Sequence, residues 1–153
     1  MWDHEDISTL TPPFKRTEKH AIIDEDGVEV KLFGEMLDLI DWAKNNGGIV
    51  SSVSWNIPAI AKRALIAFGV YDLFDYHVIE PHPRKDLMIR KLLWRLKVKE
   101  NITVQPKDIF YIDDRELHIN DIYENIGKIN FYRAWKDFSN ISDLINKIRS
   151  KEV

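Results

Sequence analysis

From residue 49 onward, short β-branched segments alternate with amphipathic helical ones, and no other feature of this sequence constrains the fold as much. Residues 49–54 (Ile-Val-Ser-Ser-Val-Ser) read as a strand. A helical pattern follows through Ile60, Ala61, Ala64, Leu65 and Phe68, with Gly69 where a C-terminal cap belongs. The alternation returns as residues 76–79 before a helix at about 85–96, and again as residues 109–112 before a helix at about 118–125, with Gly127 behind it. Residues 128–131 read as a last strand, and Ile141, Leu144, Ile145 and Ile148 as a last helix. Such a pattern predicts an α/β fold of three α/β/α layers, with helices on both faces of a mainly parallel, Rossmann-like sheet.

Ahead of it, residues 1–20 show no sustained period and read as an irregular lead-in held by Trp2 and Phe14. Two short apolar segments around Asp24-Glu25-Asp26-Gly27 predict a β-hairpin over about residues 21–32. A helix from Glu35 stops at Asn45-Asn46-Gly47-Gly48. The 153 residues suit a single domain, 1–153. A net charge of −3 gives no support to a nucleic-acid or anionic-membrane partner. The absence of Cys removes thiol catalysis, thiolate zinc sites and disulfides together. No apolar run reaches a membrane span and the acidic start is not a signal peptide, so a cytoplasmic location is expected.

In parallel α/β sheets ligands bind at the carboxyl ends of the strands. The strand at 109–112 runs into Asp113-Asp114, adjacent carboxylates whose repulsion a hard divalent ion such as Mg²⁺ would relieve. Helix N-capping by Asp114 is the competing explanation. Ser54 ends its strand ahead of a helix, where a hydroxyl and backbone N–H groups can hold a phosphoryl oxygen; Ser51 or Ser52 takes that role if the strand ends earlier. Trp55 beside it is a candidate for the substrate mouth. Lys85 opens a helix, where its charge opposes the macrodipole and so suggests an anion nearby, and Arg84 has a similar claim. Hydroxyl, cation and metal carboxylates are the equipment of phosphoryl transfer, without its nucleophile. Trp42 and Trp94 read as core or helix-packing residues, and His4, His82 and His118 lack metal-ligand spacing.

In this order these residues resemble the haloacid dehalogenase-like phosphatases, and more narrowly the magnesium-dependent phosphatase-1 group. Trp2, Pro12-Pro13-Phe14, Asp26-Gly27, residues 30–33 and Glu35 match that group's lead-in. Ser54-Trp55-Asn56 stands where the group has Ser-Arg-Thr, Pro83-Arg84-Lys85 at its motif lysine, and residues 109–114 at its hydrophobic run into Asp-Asp. The resemblance implies a Mg²⁺-dependent phosphomonoesterase acting through an aspartyl-phosphate. It also implies phosphotyrosine or sugar-phosphate substrates, carried by a small molecule or a phosphoprotein. Ser54 and Lys85 would be catalytic, with Trp55 and Arg84 beside them as phosphate-binding residues and Asp113 and Asp114 on the metal.

The group's nucleophile motif, Asp-x-Asp-x-Thr followed by Leu-Trp, meets Met1-Trp2 at its end. The first central strand and both aspartates are therefore absent from this sequence, and a start codon placed too far downstream or a shortened chain is expected ahead of a natural pseudoenzyme. As given, the chain is expected to be inactive. The alternative is a non-catalytic phosphate- or protein-binding module on the same scaffold, and an oligomer is compatible with either. A two-component receiver is excluded by chain order, since its lysine follows its acidic pair. Residues 22–28 imitate the missing motif, but Val28 onward continues as a hairpin strand, and Asp24 is not taken as the nucleophile.

Overall fold

The alternation of strands and helices is present in the computed structural model, which describes residues 1–152. The chain divides into two units, Met1–His82 and the residues from Pro83 onward.

In the first unit, β1 (Lys15–Glu18), β2 (Ala21–Ile23) and β3 (Glu29–Lys31) form an antiparallel sheet in that order. The expected hairpin is β2–β3, with Ile22 opposite Val30. Gly27 takes φ 83°, a conformation open to glycine at no steric cost, and so closes the turn. β1 lies in the stretch expected to be irregular. All four of its residues are polar and exposed, so no period-two apolar signal marks it. α1 (Glu35–Asn45) buries Met36 and Ile40. β4 (Ser51–Trp55) then crosses through α2 (Pro58–Ala67) to β5 (Tyr76–Glu80), which lies parallel to β4 with Val53 opposite Val78. Pro58 opens α2 where its missing N–H costs nothing, and the Ser8 hydroxyl accepts the N–H of Ile57 at 2.8 Å. The core joins Ile7, Ile22 and Val30 to Ala61, Ala64, Leu65 and Phe68, with Trp2 stacked on Phe68 at 6.1 Å.

In the second unit, α3 (Lys85–Glu100) leads to β6 (Phe110–Asp113), α4 (Ile119–Asn125), β7 (Asn130–Arg133) and α5 (Ile141–Glu152). β6 and β7 are parallel, with Tyr111 opposite Phe131 and Asp113 opposite Arg133. α3 runs a turn past its expected end because Lys97, Lys99 and Glu100 are good helix formers, and it stops at Asn101, in the left-handed region at φ 54°. Met88, Ile89, Leu96, Ile122, Leu144 and Ile148 are buried here. Trp94, expected to pack, is 63% exposed, because it stands on the side of α3 opposite Ile89 and Leu96. The fold is therefore mixed α/β, with two parallel strand pairs and one antiparallel sheet. No helix among the described residues is long and apolar enough to cross a membrane.

Candidate functional site

β6 delivers Asp113 at its carboxyl end, and α3 begins on Lys85; the second unit brings these two together. Lys85 Nζ lies 3.7 Å from Asp113 Oδ2, with the lysine side chain 10% and the aspartate side chain 12% exposed. Tyr111 stands two residues before Asp113 and so on the same face of β6. Its buried hydroxyl donates to Asp113 Oδ2 at 2.5 Å, while the N–H of Arg115 donates to Oδ1 at 3.2 Å.

Burial opposes charge on Asp113, but Lys85, the Tyr111 hydroxyl and the Arg115 N–H outweigh it and hold the carboxyl below its ordinary range. Asp114 moves the other way, raised by burial and then by the neighbouring Asp113. Burial lowers Lys85, with Asp113 and Asp114 restoring part of its preference for the charged form. Tyr111 is raised by burial and by Asp113, which keeps it a hydrogen-bond donor at neutral pH. His118 is buried, and burial together with the charge of Lys85 lowers it.

Arg84 is turned to a different partner. Its guanidinium grips Asp86 in two bonds, Nε to Oδ1 at 3.0 Å and Nη2 to Oδ2 at 2.7 Å, and Asn125 on α4 adds a third to Oδ2 at 2.9 Å. Asp86 is 1% exposed, and the Arg84 bonds bring its carboxyl down to about 2. This ion pair fixes the start of α3 and so the backbone that carries Lys85.

Ser54 and Trp55 belong to the first unit. The Ser54 hydroxyl, at the carboxyl end of β4, accepts a bond from the Asn56 amide at 2.6 Å, and the Ser8 hydroxyl donates to Asn56 Oδ1 at 2.9 Å. Trp55 is 46% exposed. The alternative serines have partners of their own: Ser52 lies 2.7 Å from His77 Nδ1, and Ser51 donates to the Ser52 carbonyl. Asp24 closes a turn. Buried at 4% exposure, it accepts N–H bonds from Thr11, Asp26 and Val28 at 3.0, 3.0 and 2.8 Å. The Thr11 bond foremost holds it ionised, leaving its oxygens committed to backbone.

Sequence reasoning missed Tyr111, Asp86 and Arg133. The first was findable from its period-two spacing to Asp113. Arg133, opposite Asp113 in register, donates to the Asp114 carbonyl at 3.2 Å and pairs with Glu116 at 3.4 Å.

Among the described residues no three His, Cys, Asp or Glu side chains gather into a metal-binding group. Asp113 and Asp114 are hard oxygen donors of the kind Mg²⁺ takes, but both Asp113 oxygens already have partners, Oδ2 in Tyr111 and Lys85 and Oδ1 in the Arg115 N–H, so a metal would have to share or displace them. No protein-family model matches this chain, and no curated protein matches it.

Proposed function

We propose that this chain is the scaffold of a Mg²⁺-dependent phosphomonoester phosphatase of the haloacid dehalogenase-like kind, acting on phosphotyrosine or sugar phosphates. The observation that carries the reading is Lys85 set 3.7 Å from Asp113 at the carboxyl end of a parallel strand, both largely buried. A buried lysine and a buried carboxylate there are costly to maintain for stability alone. Lys85 supplies the cation that meets a phosphoryl oxygen, Asp113 and Asp114 would hold Mg²⁺, and Tyr111 fixes the Asp113 carboxylate. A Mg²⁺ ion held there would supply charge neutralisation for the phosphoryl group. Ser54 and Trp55 are assigned to phosphate binding by the sequence pattern, and Arg84 acts through Asp86 on the placement of Lys85.

The fold that goes with this reading is a three-layer α/β/α sandwich on a mainly parallel sheet, and what supports it is that β4–β5 and β6–β7 are each parallel pairs. Its first central strand would carry the attacking aspartate and the aspartate that protonates the leaving oxygen. For these 153 residues by themselves, a phosphate-binding module without turnover is the second reading. It is favoured by the commitment of Asp24 to three backbone N–H groups.

Titration with orthophosphate in the presence and absence of Mg²⁺, followed by amide shifts, tests the binding common to both readings. Saturable shifts at residues 84–86 and 113–115 that need Mg²⁺, and that Lys85→Met and Asp113→Asn each weaken about tenfold, are expected. Shifts confined to other segments would refute the site.

A further inference from the structure

α3 is apolar on two opposite sides. At about 100° per residue, Met88, Ile89 and Leu96 gather on the buried side, while Leu87, Trp94 and Val98 fall within an arc of about 40° on the other. These three are 42%, 63% and 59% exposed. Their spacing of seven and then four residues is that of a heptad seam, with Leu87 and Trp94 at d positions, Val98 at a, and Lys91 at the intervening a. Of the four positions bordering the seam, Arg90 and Lys97 lie on one side, and Arg95 with the buried Met88 on the other. Of the six Lys or Arg on α3, Lys85 is buried and paired with Asp113, and the other five stand against the two acids Asp86 and Glu100. Arg90 donates to the Asn125 carbonyl at 3.2 Å and Lys97 to the Thr103 hydroxyl at 3.1 Å, both neutral acceptors.

We propose that this face of α3 docks an acidic amphipathic helix of a protein partner, apolar at its own a and d positions and Glu or Asp at e and g. Cations on both borders repel the same face of a second copy and attract an acidic one, the rule by which e and g charges choose partners. The arc is as narrow as a coiled-coil seam, whereas a helix lying in a bilayer presents an apolar sector of roughly 100° or more. An exposed tryptophan with arginines at positions 90 and 95 of the same helix has the composition of an interface hot spot. Two heptads give a small, reversible contact, suited to recruiting a partner or a protein-borne substrate.

The probe is a synthetic helix of three heptads with Leu at a and d and Glu at e and g, titrated into the full chain and followed by fluorescence anisotropy. Saturable binding is expected, falling about tenfold or more in Trp94→Ala. In Arg90→Glu/Lys97→Glu, affinity should pass to the same peptide carrying Lys at e and g. Trp94→Ala changes an exposed position, and its far-UV circular dichroism and melting should match the parent chain; Arg90→Glu/Lys97→Glu gives up the bonds to Asn125 and Thr103, and its far-UV circular dichroism at the assay temperature should still be that of the parent fold. A peptide of equal composition with its leucines off the heptad should not bind. The proposal is overturned if that peptide binds as well as the designed one, if Trp94→Ala binds unchanged, or if Trp94 blue-shifts on phosphatidylserine vesicles or an oligonucleotide and not on the peptide. Self-association that Trp94→Ala abolishes would likewise reject it, replacing the acidic helix with a second copy.

Discussion

Replacing Asp86 with asparagine tests how the start of α3, and with it Lys85, is held. Asp86 is 1% exposed, gripped by two bonds from Arg84 and one from Asn125. Hydrogen bonding by Arg84 is the leading cause that takes its carboxyl from 3.8 to about 2. At ~1.4 kcal/mol per pH unit that difference corresponds to an ionic stabilisation of about 2 kcal/mol. The Arg84 side chain is 50% exposed, so solvent screening reduces the ionic part to about 1–2 kcal/mol. Asparagine also turns one of its two side-chain oxygens into a donor facing donors, which adds about 1 kcal/mol. A loss of about 2–3 kcal/mol at pH 7 is therefore expected in urea unfolding, with faster amide exchange along α3 as the local sign. Because the folded carboxyl titrates below the unfolded one, the ionic stabilisation is complete well above 3.8 and is lost as the pH falls through 3.8 toward about 2. The gap between parent and variant should thus be flat from neutrality to about pH 5 and narrow below it. A gap under about 0.5 kcal/mol at pH 7, or one that does not narrow in acid, would refute the reasoning.

Tyr111→Phe removes a buried donor to an ionised acceptor and should cost about 1.5–3 kcal/mol in urea unfolding, while Tyr132→Phe, whose buried hydroxyl has no hydrogen-bond partner, should cost little. Asn101 holds a left-handed conformation at φ 54°, so Asn101→Gly should raise the melting temperature slightly and Asn101→Ala should lower stability by about 1 kcal/mol. Asp24→Ala strands three backbone N–H groups and should lower the melting temperature, with the largest loss of exchange protection around residues 11 and 24–28.

Much of this architecture could be read from the chain because local signals and tertiary packing agree. Asn45-Asn46-Gly47-Gly48 ends α1 where its apolar period ends, and the β-branched stretch before Ser54 becomes β4 beside β5. β1 was not legible: Lys15–Glu18 pairs because β2 offers an edge, and an exposed polar strand leaves no pattern of its own. Trp94 was misplaced for a related reason, since helical periodicity counts apolar residues without saying which face has a neighbour. At the site, the meeting of Lys85 with Asp113 follows from helix start and strand end. The diversion of Arg84 to Asp86 depends on rotamers and on Asn125, 39 residues further along, and no local spacing announces it. Tyr111 lay within reach of a period-two reading.

Hydrolysis of an aryl phosphate bears most directly on the proposed function. The 153-residue chain and a version extended upstream with a hydrophobic strand and Asp-x-Asp-x-Thr are to be assayed side by side, with and without Mg²⁺. The expected result is turnover only by the extended protein, only with Mg²⁺, and largely lost in its Asp113→Asn variant, where the metal gives up an anionic ligand. Robust Mg²⁺-dependent turnover by the 153-residue chain itself, abolished by Asp24→Asn, would contradict it and make the turn-closing carboxylate the nucleophile.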